Sequence, residues 1–291
     1  MTVLYDYAIA PFADYAFMRR ALAAVVMMAC GSTPLGVLLV LRRMSLMAEA
    51  MAHAILPGIA VAFMVAGFSL PLMSLGGFCA GVLVALLAGL VARFTQLRED
   101  ASFAALYPTA LAFGVLLVSW HGSSADLMHL LFGSVLAVDR DSLYLMAGIS
   151  SATLFVLAMF WRPLVITVSD PAFLRSQGGN ATFQHLLFLV LVTLNLVAGF
   201  QAMGTLMAVG IMIIPAVCAR FWTRLLDVML LLAIGFGLAS GLAGLLLSYH
   251  LALPSGPAII LVAAGFYAIS LLFGRHDSLR ARYWPGRHLA R

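Results

Sequence analysis

Long apolar runs alternate with short polar connections along almost the whole chain. The runs fall at about residues 20–41, 52–67, 71–92, 103–119, 142–161, 184–200, 203–220, 227–247 and 256–273. Most of them reach the roughly 17–25 residues that an α-helix needs to cross the hydrocarbon core of a bilayer. A transmembrane barrel would instead show segments of about ten residues with alternating polarity. The pattern predicts an all-α integral membrane protein, a polytopic helical bundle of about eight or nine transmembrane helices, forming one domain over residues 1–291. The polar connections are 42–49, 93–100, 121–141, 162–184, 220–227 and 248–257, followed by a basic tail at 275–291.

Arginine placement orients the bundle. Arg93 and Arg98, Arg162 and Arg175, Arg220 and Arg224, and the tail fall on one side if the spans alternate, and that side is predicted to be cytoplasmic. The segments around Ser123 and Pro254 then face outward. The first span has arginine pairs at both ends, Arg19–Arg20 and Arg42–Arg43, so charge leaves its direction open.

Composition narrows what such a bundle can do. The chain is 64% hydrophobic and 9% charged, with mean hydropathy +1.09, far from the balance of a soluble domain. All sixteen basic residues are arginine. Without lysine there is neither a P-loop nor a Schiff base, so ATP-driven work would need a second chain to bind the nucleotide. Cys30, Cys79 and Cys218 lie apart in separate apolar runs, which suggests neither a disulfide framework nor a thiolate metal site. The N-terminal stretch carries Asp6 and Asp14 and lacks the basic start of a secretory signal, so the first span is expected to remain. Small residues recur inside the runs, as at Gly31-Ser32-Thr33-Pro34 and Gly76-Gly77, where they allow close helix packing.

One stretch carries chemistry: RRMSLMAEAMAHAILPG, residues 42–58. Glu49 and His53 are four apart, hence on one helical face and able to share a cation. Pro57 has no N–H for the carbonyl of His53, which frees an oxygen ligand or marks a kink. Both side chains are costly in lipid, where ionisable groups mark ion pathways. The plainer alternative pairs Glu49 with Arg42 or Arg43 in a loop and leaves His53 as a bundle residue. An intramembrane metalloprotease is disfavoured, because H-E-x-x-H is absent.

This stretch resembles the hallmark of the membrane permease subunit of the ABC-type zinc/manganese/iron importers, which reads roughly Arg-Arg-Met, then Asp-Ala-x-Ser-His-Ala-x-Leu-Pro-Gly. LREDASFAALYPTALAFGVLL, DLMHLLFGSVLAV, GTLMAVGIMIIPAVCARFW and LPSGPAIILVAAGFY follow in family order. Here Glu49 replaces the usual Asp and Ala52 the frequent Ser. The resemblance implies that Glu49 and His53 line the metal path and that the protein sits, multi-pass, in the bacterial cytoplasmic (inner) membrane. It implies three protein partners: an ATP-binding subunit, an extracytoplasmic metal-binding protein and a second permease copy in a homodimer. No enzyme activity, resident cofactor or nucleic acid is expected.

Within 162–184, the core DPAFLRSQGG reads as a short helix started by Asp170-Pro171 and stopped by Gly178-Gly179. The resemblance makes it the segment that contacts the ATPase, with Asp170, Arg175 and Gly178 as its key residues. His121, Asp126 and His129 in the outward connection are weaker candidates for a metal entry site. The remaining histidines, among them His185 and His250, sit at span ends or in the tail. Two alternatives stay open: an ion-coupled secondary carrier, and an ATP-driven permease for a chelate such as a siderophore or cobalamin. The imidazole favours zinc over manganese as cargo, although a carboxylate suits manganese.

Overall fold

The structure is a computed structural model that describes residues 7, 9–67, 69–120 and 135–280. His121, Asp126 and His129, proposed above as an entry site, lie outside the described residues, as does the end of the basic tail.

The described residues are helical and contain no strand. After a short α1 (Ala10–Asp14) come α2 (Ala16–Leu41), α3 (Ser45–Ala54), α4 (Leu56–Ala66), α5 (Leu70–Phe94) and α6 (Glu99–Trp120). Then follow α7 (Arg140–Ser169), α8 (Pro171–Ser176), α9 (Ala181–Met203), α10 (Thr205–Arg220), α11 (Leu226–Leu251) and α12 (Ser255–Phe273). Eight helical segments are long and apolar enough to cross a membrane, with α3 and α4 counted as one span, Ser45–Ala66; α10, at 16 residues, is shorter.

Contacts at the helix ends settle the direction that charge left open. Arg42 after α2 meets His185 at the start of α9, and Arg220 at the end of α10 reaches the carbonyl of Val40. These ends therefore lie together, at the arginine-rich end of the bundle. At the opposite end Tyr15, before α2, packs its ring at a tilt against Tyr249 near the end of α11, and Asp139, before α7, feels the charge of Arg20. The first span thus begins at the end expected to face outward. Because α9 starts and α10 finishes at the arginine-rich end, the pair must double back, and it does so at the single residue Gly204 (φ +88°).

Burial sorts the helices by role. In α2 and α9, 78% and 72% of the most apolar stretch is buried, against 17–33% in α5, α6, α7, α11 and α12, so α2 and α9 form the centre. Around them α7 packs on one flank, α10 to α12 on another, and α3 to α6 form the wall that carries the candidate site. Gly58 of α4 and Gly76 of α5 face each other so closely that a Cβ on either would meet the other's carbonyl oxygen. Leu83, Leu86 and Leu90 of α5 and Phe155 and Met159 of α7 stay exposed, as suits surfaces that face lipid chains.

Two boundaries differ from expectation. The connection read at 42–49 is already helical from Ser45, because Leu46, Met47, Ala48 and Ala50 are good helix formers, which places Glu49 in α3 and not in a loop. The run read as ending at 161 continues through Arg162 to Ser169. Pro163 bends α7 without ending it, with the distortion at Phe160 (φ −105°, ψ 19°), and the apolar residues after the proline carry the helix on. Asp139 caps α7 by accepting from the N–H of Ser142 (3.0 Å), and hydrogen bonding to Ser142 holds its carboxyl below the usual carboxylate range.

Candidate functional site

The corner that introduces the site is tight. Arg43 adopts φ +59°, a left-handed conformation, and turns the chain from α2 into α3. From there α3 runs for ten residues to Ala54, and the helical ladder breaks at Ile55 before resuming in α4. The break lies two residues before Pro57, whose missing N–H denies a donor to the carbonyl of His53.

On α3, Glu49 is exposed and makes no hydrogen bond or ion pair among the described residues. It lines a pocket of about 520 Å3 with Arg43, Met44, Met47, Asp100, Tyr107 and Arg220 among its other walls. One turn deeper, His53 is half-buried and stacks on Tyr107 with ring centroids 6.1 Å apart and planes at 26°. Its Nδ1 is buried without a hydrogen-bond partner. Buried polar atoms are normally paired, so the orphaned ring nitrogen has an unmet hydrogen-bonding or coordinating capacity. Among the described residues no three of His, Cys, Asp and Glu cluster to hold a metal. Glu49 and His53 place one carboxylate and one imidazole on the same face of α3.

The alternative that pairs Glu49 with Arg42 does not occur. Arg42 turns the other way, donating from Nη1 to Nδ1 of His185 (2.9 Å), while Nε2 of His185 lies 2.7 Å from Oε1 of Glu99. The guanidinium also sits 4.5 Å over the Phe188 ring. Burial pushes its pKa down to about 10, and Glu99 opposes that shift.

The sequence pattern did not single out Asp100, Tyr107 or Arg220. A signal existed for the first two, since Asp100, Phe103, Ala104 and Tyr107 stand at i, i+3, i+4 and i+7 and all four line the pocket. Arg220 belongs to a distant helix end, and nothing local points to it.

The short helix α8 forms as its sequence requires. Oδ1 of Asp170 accepts from the N–H groups of Ala172 (2.9 Å) and Phe173 (3.0 Å), closing the N-terminus. Gly178 (φ +79°) ends the helix, with N–H of Gly178 bonded to the carbonyl of Arg175 and N–H of Gly179 to that of Leu174. Leu174 is buried, whereas Phe173 and Arg175 are exposed at the arginine-rich end.

Residues 14–274 match the model of the ABC 3 transport family. The chain is 34% identical over 275 residues to a manganese transport system membrane protein, MntC, of Halalkalibacterium halodurans, covering 94% of this chain and 93% of that one. It is 30% identical over 282 residues to a chelated iron transport system membrane protein, YfeD, of Yersinia pestis, covering 97% and 93%. Among solved structures it resembles PsaBC from Streptococcus pneumoniae in complex with Fab, with TM-score 0.83, 30% identity and coverage of 97% and 98%.

Proposed function

The chain belongs to the ABC 3 transport family, and from that premise we propose that it is the multi-pass permease subunit of an ATP-driven importer of a divalent transition metal. The observation that carries the reading is the pair Glu49 and His53: a carboxylate without a partner at the wall of a pocket and, one turn deeper behind it, an imidazole with an orphaned Nδ1 stacked on Tyr107 of the same wall. A buried, unsatisfied ring nitrogen in a membrane bundle is costly to keep, and a passing cation that Glu49 attracts would satisfy it. Two protein ligands hold a metal loosely, which suits a cargo that must leave again; water, the carbonyl of His53 or a second permease copy supplies the rest.

The names of the relatives turn the choice of cargo from zinc, favoured on the imidazole alone, to manganese or iron. We take manganese as the first candidate, since Glu49 supplies the oxygen ligand it prefers. Selection against zinc then falls chiefly to an extracytoplasmic metal-binding protein, because affinity at a nitrogen and oxygen site rises from manganese to zinc.

ATP is bound by a separate subunit docked on α8, whose exposed Phe173 and Arg175 are held by the Asp170 cap and the Gly178 stop. The arginine-rich end faces the cytoplasm of a bacterial cell. Uptake of radioactive manganese into vesicles carrying permease, ATPase subunit and binding protein tests the whole reading. Glu49→Gln and His53→Ala should each remove most uptake with ATPase association intact; near-normal transport in both overturns it. Gly178→Pro should leave the metal site whole yet separate ATP hydrolysis from transport.

A further inference from the structure

Three residues from separate parts of the chain form a hydrogen-bonded line at the arginine-rich end: Arg42 to His185 at 2.9 Å, His185 to Glu99 at 2.7 Å. Donor and acceptor chemistry fixes its direction. Arginine has no acceptor, so Nδ1 of His185 must present its lone pair to Arg42. The ring's one remaining proton is then on Nε2 and is donated to the Glu99 carboxylate. The roles of the two ring nitrogens of His185 are therefore set by two neighbours that cannot exchange places. The Glu99 and His185 side chains retain only 23% and 28% exposure, so water competes little for these bonds.

The placement gives the line mechanical meaning. His185 lies in the second turn of α9, whose first turn is capped by Asn180 directly after the α8 turn. Arg42 sits at the corner from which α3 departs with Glu49 and His53. Glu99 opens α6, whose face of Asp100, Phe103, Ala104 and Tyr107 forms the facing wall of the pocket. One imidazole thus joins the helix that follows the docking segment to both walls of the metal path.

We propose that Arg42, His185 and Glu99 form a coupling strut, with His185 the positioning residue that transmits movement of α8 and α9 to the Glu49 pocket. This rests on α8 being the ATPase docking segment. Neither His185 nor Glu99 touches the metal in this scheme.

Side chains that keep or break the donor and acceptor pair test it, in vesicles holding the complete complex, by radioactive manganese moved per ATP hydrolysed. His185→Leu removes both bonds and should lower that ratio about tenfold, within the range of ordinary coupling free energies between sites. His185→Gln offers a carbonyl to Arg42 and an N–H to Glu99, and should stay within about twofold of the wild type, well under one kcal/mol. Wild-type coupling in His185→Leu, or equal loss in His185→Gln and His185→Leu, overturns the proposal. If His185→Leu does not assemble, Arg42→Met cuts the other arm while its thioether still packs on Phe188, and it must show the same loss. Gly178→Pro separates the two readings. Uncoupling there with normal coupling in the His185 variants removes the strut alone, whereas normal coupling in Gly178→Pro removes the docking segment.

Discussion

Two groups of ionisable side chains flank the start of α3, and they are built in opposite ways. Before it, Arg42, His185 and Glu99 bond to one another in a line, each bond fixing the next, although Nε and Nη2 of Arg42 stay buried without a hydrogen-bond partner. Within it, Glu49 and His53 hydrogen-bond to no other side chain among the described residues, and the imidazole stacks on the Tyr107 ring. Both groups lie at the arginine-rich end. The first is joined by bonds inside the protein; in the second neither side chain finds a protein partner, which is what the proposed metal path requires.

The contrast breaks first at its open half. Glu49→Gln and His53→Ala should each cut manganese uptake by at least about tenfold, the lower end of what even outer groups of a metal site contribute. The unfolding free energy of Glu49→Gln should stay within about 0.5 kcal/mol of the wild type, since Glu49 has no bond to lose. Thermal denaturation in detergent beside vesicle uptake checks both halves. A large stability loss in Glu49→Gln would place Glu49 among structural residues.

The closed half should respond in stability. Arg42→Met leaves Nδ1 of His185 without a donor and should lower the unfolding free energy by about 1–3 kcal/mol, read from the same denaturation curves. Tyr107→Leu sharpens the comparison from the side, because the stacked ring orients His53 without binding metal. It should raise the manganese concentration for half-maximal uptake about two- to tenfold, as an aromatic contact worth about 0.5–1.5 kcal/mol predicts. The smallest effect belongs to Asp170→Ala, which removes the α8 cap and costs about 1 kcal/mol locally. Faster amide exchange at Ala172 and Phe173 would register it.

Hydropathy made the spans legible, because lipid demands long apolar helices whatever their tertiary contacts. It misplaced the two boundaries where helix and apolar surface part company. Ser45 to Glu49 is polar in places yet helical, and Arg162-Pro163 resembles an ending while the chain needs only a bend. The four-residue spacing exposed Glu49 and His53, since that pair lies within one helix. The line through residues 42, 99 and 185 was illegible for the opposite reason: it joins three distant stretches, and His185 alone looks like any polar residue at a span end. In the sequence the nearest acidic neighbour of Arg42 is Glu49, and the fold gives it His185 instead.

The short α10 bears on how the protein is made. At 1.5 Å per residue its 16 residues rise only about 24 Å, less than the roughly 30 Å of hydrocarbon a lone span must cross. It packs on α2, α9, α11 and α12, and Gly204 alone joins it to α9. Such a segment is a poor substrate for insertion by itself. The membrane machinery must take α9 and α10 as one hairpin and hold the second arm until α11 and α12 arrive to cover it.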